Sequence, residues 1–131
     1  MRLDGNEVRE LMQRLSGFPA NVLAFACRGR VTKKDYETVF TPAVDAVAKE
    51  HHAIRLYYEI GRGFAGFEPG ALWQDFRVGL EHLWRWDRIA IVTDLDWIRY
   101  TVEALRFLLP GHVRVYTTAE TAAAREWAVG T

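Results

Sequence analysis

The stretch Ile89-Ala90-Ile91-Val92 constrains the fold more than any other part of the chain. Four apolar residues follow one another without the alternation of a half-solvated strand, so both faces of this strand require cover. Arg88 precedes the run and Thr93-Asp94 ends it. A strand covered on both sides belongs in a largely parallel sheet flanked by helices. The chain has 131 residues, half of them hydrophobic and 26% charged, which suits one α/β domain over residues 1–131.

The neighbouring segments supply the remaining layers. Val8 to Leu15 reads as a short edge strand or a helical turn, ended by Ser16-Gly17-Phe18-Pro19. Asn21 to Arg28 reads as a strand closed by Gly29. From Thr32 to His51, residues Tyr36, Val39, Phe40, Ala43, Val44 and Val47 form one apolar helical stripe. Thr32 with Asp35 resembles a capping box, and Pro42 predicts a kink. Ile54 to Ile60 follows as a strand, Gly61 to Gly70 as a loop, and Pro69 to Leu83 as a helix buried through Leu72, Phe76, Leu80 and Leu83.

After the apolar strand, Asp94 is the expected cap of a helix running to about Leu109, with Ile98, Val102, Leu105 and Leu109 inward. Pro110-Gly111 stops that helix, Val113 to Tyr116 forms the last strand, and Thr117 with Glu120 caps a final helix through Trp127. The expected order is β-β-α-β-α-β-α-β-α. Three strand–helix–strand crossovers predict a mainly parallel five-stranded sheet, with the first strand antiparallel at an edge.

Several function classes lose support at once. Lys+Arg and Asp+Glu both number 17, so no global field recruits nucleic acid or an anionic surface. Cys27 is the only cysteine, in a strand-like setting, which makes it a buried hydrophobe and not a nucleophile. His51 and His52 are adjacent, while His82 and His112 stand apart, so no histidine pair has zinc spacing and no metal or cofactor is expected. No signal-peptide layout and no integral membrane segment is read, so the expectation is a cytoplasmic protein.

Gly61, Gly63 and Gly66 match the dinucleotide fingerprint, but Glu68 and Pro69 stand where a pyrophosphate would meet the helix. The motif reads instead as a movable loop, completed by Gly70, that carries Phe64 and Phe67. Five tryptophans enrich the chain, and two readings account for them. Large aromatics can fill a core and a subunit interface, for which Trp84, Arg85 and Trp86 make the candidate homodimer cluster. Alternatively, Phe64, Phe67, Trp73 and Trp97 line an apolar pocket at the carboxyl ends of the strands, with Thr93 and Asp94 at its rim.

Four stretches carry a family likeness: Gly29-Arg30-Val31-Thr32 before Asp35-Tyr36, Phe64 to Trp73, Ile91-Val92-Thr93-Asp94 before Trp97-Ile98, and Pro110-Gly111 before Val113-Arg114-Val115-Tyr116. In this order the chain resembles the SpoIIAA-like branch of the STAS fold over nearly its whole length. None of the four is a catalytic signature. The resemblance implies a non-enzymatic regulatory or binding module. The branch has also been compared with the CRAL-TRIO lipid-transfer fold, which implies a small hydrophobic ligand as one partner. Anti-anti-sigma regulators of this class carry a phosphorylatable serine after the middle strand, whereas Gly61 to Gly70 contains neither serine nor threonine. An interaction module without that switch is the alternative, and a nucleotide binder using Gly61 to Gly66 ranks below both.

Overall fold

A computed structural model of the protein describes residues 12–67, 81–108 and 111–130. The expected helix over 69–83 lies outside them as far as residue 80, with Gly70, Leu72, Trp73, Phe76 and Leu80, as do Leu109 and Pro110; Leu83 opens a short 3-10 turn.

Five strands form one sheet in the order β1-β2-β3-β4-β5, which is also their order in the chain. They are β1 (Met12–Arg14), β2 (Val22–Val31), β3 (Ile54–Phe67), β4 (Trp86–Thr93) and β5 (His112–Tyr116). The β1 strand runs antiparallel to β2, as a short turn requires, and the remaining pairs are parallel. Each parallel step moves to the adjacent strand in the same direction, so crossovers of one hand place their helices on one face.

That face holds the larger core. Leu23, Phe25 and Cys27 from β2, with Ile54, Leu56, Tyr58 and Ile60 from β3, alternate toward it. Helix α1, over residues 33–50, covers them through Tyr36, Phe40, Ala43, Val44 and Val47, the stripe read from its spacing. The Tyr36 and Tyr58 hydroxyls pair at 2.9 Å inside this core, which satisfies two polar groups that burial would otherwise orphan. Helix α2 (Asp96–Leu105, then a tight turn Arg106–Leu108) adds Ile98 and Val102 to the same face.

Helix α1 is composite: Lys33–Asp35, a widened π turn Tyr36–Phe40, and Thr41–Glu50. Thr32 and Asp35 form the expected reciprocal cap. The widening ends two residues ahead of Pro42. Proline has no N–H for the carbonyl of Thr38 and its ring would strike that carbonyl in a regular turn.

Helix α3 (Thr121–Val129) follows β5 and covers the opposite face. Ala124 and Ala128 are small enough to sit directly on Val22, Ala24, Tyr57, Ala90 and Val92. Arg55 and Arg88 reach from β3 and β4 to the last carbonyls of α3, at Ala128, Trp127 and Gly130. Two cations at the negative end of a helix satisfy orphan acceptors and oppose the helix dipole.

Two expectations are corrected. The β2 strand does not close at Gly29 but bends there, at φ +60, and continues to Val31. That extension gives β3 a partner beyond Ile60, so Gly61, Gly63 and Gly66 lie in strand rather than in a loop. Gly29 pairs with Phe64, Arg30 with Gly66 and Val31 with Phe67.

Candidate functional site

At the carboxyl ends of β3 and β4 the structure brings Phe64 and Trp97 together. Phe64 turns into the core and is 7% exposed, while Trp97 opens α2 and is 54% exposed. Their rings lie 6.3 Å apart and nearly parallel, at 21°. A buried ring beneath a half-covered one leaves an apolar surface at the position where open α/β sheets bind ligands. Trp73 and the Phe67 side chain, assigned to this site from sequence, lie outside the described residues.

The two rim residues are held by other groups. Thr93 is fully buried, and its hydroxyl accepts from the Leu95 N–H at 3.1 Å. Asp94 does not cap α2, whose cap position is Leu95 with no side-chain bond. Its carboxylate instead accepts the Thr118 N–H at 2.9 Å and the Thr118 hydroxyl. The reason is spatial: the turn opening α3 lies beside the end of β4 and presents donors the helix cannot satisfy. Thr117 and Glu120 form the expected capping box there, and these donors hold the Glu120 carboxyl below its usual range.

The aromatic–arginine cluster is divided by the fold. Trp84 is 82% exposed, but Trp86 is buried in the larger core. Arg85 turns back to donate to the carbonyls of Ala48, His51 and His52, closing the carboxyl end of α1. Of the three residues assigned to an interface, Trp84 alone faces outward.

Sequence reasoning passed over a polar pair on the α3 face. Tyr57 is fully buried and donates to Glu59 Oε2 at 2.6 Å. Burial, then the Glu59 carboxylate, push the Tyr57 hydroxyl far above its ordinary 10.0. The folded state therefore holds this proton more tightly than the unfolded chain does. The stabilisation is present below the ordinary tyrosine range and is lost as pH rises beyond it. Urea titrations at rising pH should show Tyr57→Phe losing stability less steeply than the parent, by the slope of one proton. Equal slopes would remove Tyr57 from the alkaline transition.

Among the described residues no group of three or more His, Cys, Asp or Glu could hold a metal ion. The His82 imidazole lies 3.9 Å from Asp45 Oδ1, which is an ion-pair position and not a ligand set. No helix among them is long and apolar enough to cross a membrane.

With this geometry in place, comparison with known proteins is informative. The family model described as SpoIIAA-like matches residues 22–128, from the first core strand to the end of α3. The chain belongs to the SpoIIAA-like family. The crystal structure of an uncharacterized DUF3478-family protein with a SpoIIAA-like fold, from Shewanella loihica PV-4, superposes with a TM-score of 0.70. It shares 22% identity, over 89% of this chain and 91% of that one. At that identity the likeness establishes the fold. No curated protein matches. This SpoIIAA-like chain thus has the α/β sandwich that its sequence implies: a mostly parallel sheet with an antiparallel edge.

Proposed function

We propose that this SpoIIAA-like protein is a non-enzymatic, cytoplasmic binding module that takes a small hydrophobic or amphiphilic ligand beside Phe64 and Trp97. The observation that carries this reading is the stack of a buried Phe64 under a half-exposed Trp97 at the carboxyl end of the parallel sheet. Thr93 and Asp94 then act as supports for the strand end, since their polar atoms are held by Leu95 and Thr118. A nucleotide gains no support from Gly61 to Gly66, because strand backbone paired with β2 is not the glycine turn that cradles a pyrophosphate.

Calorimetric titration with dodecanoate below its micellar concentration tests the proposal. The parent protein should bind, and Trp97→Ala should weaken binding about tenfold, the effect of roughly 1.4 kcal/mol of lost apolar contact. Thermal unfolding of that variant should stay close to the parent's, because Trp97 is more than half exposed. Absence of dodecanoate binding to the parent, or equal binding by both proteins, overturns it.

A second reading is a protein-interaction module of the anti-anti-sigma type working without the phosphorylatable serine. Outward-facing Trp84, Tyr100 and Phe107 support it, being 82%, 74% and 77% exposed. Within this reading the protein works as a homodimer.

A further inference from the structure

Helix α2 has two apolar faces, and its sheet contacts use one of them. Ile98 and Val102, with Leu95 just before the helix, pack into the core. Trp97, Tyr100, Ala104 and Phe107 recur at spacings of three, four and three residues, which places them together on the opposite side. All four are exposed. Leu105, expected inward beside Ile98, is 52% exposed because it lies at the last turn of the helix. A regular stripe of three large aromatics on one helix differs from scattered surface apolar residues, which need no explanation.

Charge order identifies what fits this stripe. Asp96, Arg99, Glu103 and Arg106 lie in a row along one flank of it, reading minus, plus, minus, plus from the amino end. Such a row faces its own reverse with every charge opposed. An antiparallel second copy brings Arg106 near Asp96 of the first helix and Glu103 near Arg99. A parallel copy would carry its row on the opposite flank, where the two rows do not meet. The same antiparallel placement lays Trp97 level with Phe107 of the second helix, and Tyr100 level with Ala104. Glu103 and Arg106 already pair within one helix at 3.2 Å, so both are oriented toward this flank, whereas Arg99 turns back and donates to the Thr93 carbonyl at 3.2 Å.

The area suits a weak, concentration-dependent pair. A large aromatic carries about 150–250 Å² of surface, so these three leave roughly 400 Å² exposed per copy. Two copies then bury about 800 Å² before flanking charges are included, at the low end where transient pairs lie.

We propose that α2 is the homodimer interface, two copies packing antiparallel through Trp97, Tyr100 and Phe107, with Asp96 opposite Arg106. The existence of a pair rests on the homodimer reading above, in which the second copy and not a ligand covers Trp97; its surface and orientation are new. Trp84, outside the stripe, is not required.

Sedimentation velocity on the full chain across a concentration series tests both levels. The parent should dimerise. Phe107→Glu should raise the dimer dissociation constant at least about 30-fold, the scale of a central aromatic anchor. Arg106→Glu should raise it about tenfold or more, and D96R/R106E should recover most of that loss, because only facing helices restore the exchanged pair. Circular dichroism should report a folded chain throughout, since each residue is exposed. A monomeric parent at about 100 μM overturns the homodimer reading and this surface with it. A dimeric parent unaffected by Phe107→Glu overturns the surface alone. Loss in Arg106→Glu without recovery in the double variant overturns the antiparallel orientation. A monomer that instead co-sediments with phosphatidylglycerol vesicles through the same aromatics overturns the second copy as the occupant.

Discussion

Gly111→Ala should destabilise the protein by roughly 3 kcal/mol and lower its melting temperature by about 10 °C or more. A Cβ at this position would lie 2.3 Å from the Trp86 carbonyl oxygen and 2.9 Å from that of Asp87. Both are backbone atoms at the start of β4, so no side chain can swing aside. Relief requires β5 to move away from β4, and the Arg88–His112 and Ile89–Val113 register begins only a residue further on. The comparison is Gly61→Ala or Gly63→Ala, where a Cβ meets no atom within 4 Å. These should stay within about 0.5 kcal/mol of the parent. Chemical denaturation of the three variants is sufficient. If Gly111→Ala unfolds at the parent's midpoint, the close approach of the two strands is wrong. If Gly61→Ala is the damaging one, the glycine-rich strand has a tightly fitted neighbour.

That contrast shows why some of this molecule was readable and some was not. Gly111 reads from sequence as a helix stop, a local role, and nothing beside it in the chain announces that two strands meet there. The glycines at 61, 63 and 66 read as a loop because the sequence displays their freedom but not their partner. The partner is the end of β2 beyond Gly29, more than thirty residues away. Of the three, Gly66 has a conformation that favours glycine, at φ +116. Several features whose cause and effect lie within four residues were read accurately. The Thr32–Asp35 and Thr117–Glu120 boxes both form, and the α1 stripe is buried as spaced.

The candidate site follows the same division. The end of β4 falls at Thr93 as read, whereas β3 runs past Ile60 to Phe67. Phe64 and Trp97 do meet there. Asp94 was assigned to the helix that follows it, because a capping acid is the economical local reading. Its actual partner, Thr118, arrives from the far side of β5. The outward stripe of α2 was present in the spacing of Tyr100, Ala104 and Phe107, yet Ile98 and Val102 form a stripe on the same helix. Spacing alone shows two faces and does not rank them; packing against the sheet decides which one is buried.

Trp86→Ala should destabilise the protein by about 3–5 kcal/mol, while Trp84→Ala should change it by less than about 0.5 kcal/mol. The two residues are separated by one arginine and look alike in sequence. Trp86 is the first residue of β4, paired with Ile54 and 6% exposed within the larger core. Removing its ring opens a void between β4 and the residues that surround it, and a close-packed interior refills such a void only in part. Trp84 lies in the short turn Leu83–Arg85, 82% exposed, so its truncation removes little that folding had covered. Urea denaturation monitored by far-ultraviolet circular dichroism distinguishes them without relying on tryptophan signal. Were Trp84 and Trp86 a joint interface, both variants would instead weaken self-association and leave the monomer's denaturation midpoint unchanged. The Trp86 backbone also meets Gly111, so the loss in Trp86→Ala should not add simply to the loss in Gly111→Ala. Once β5 has been pushed off the start of β4, the Trp86 ring has less packing left to lose, and the double variant should be less damaged than the sum of the two.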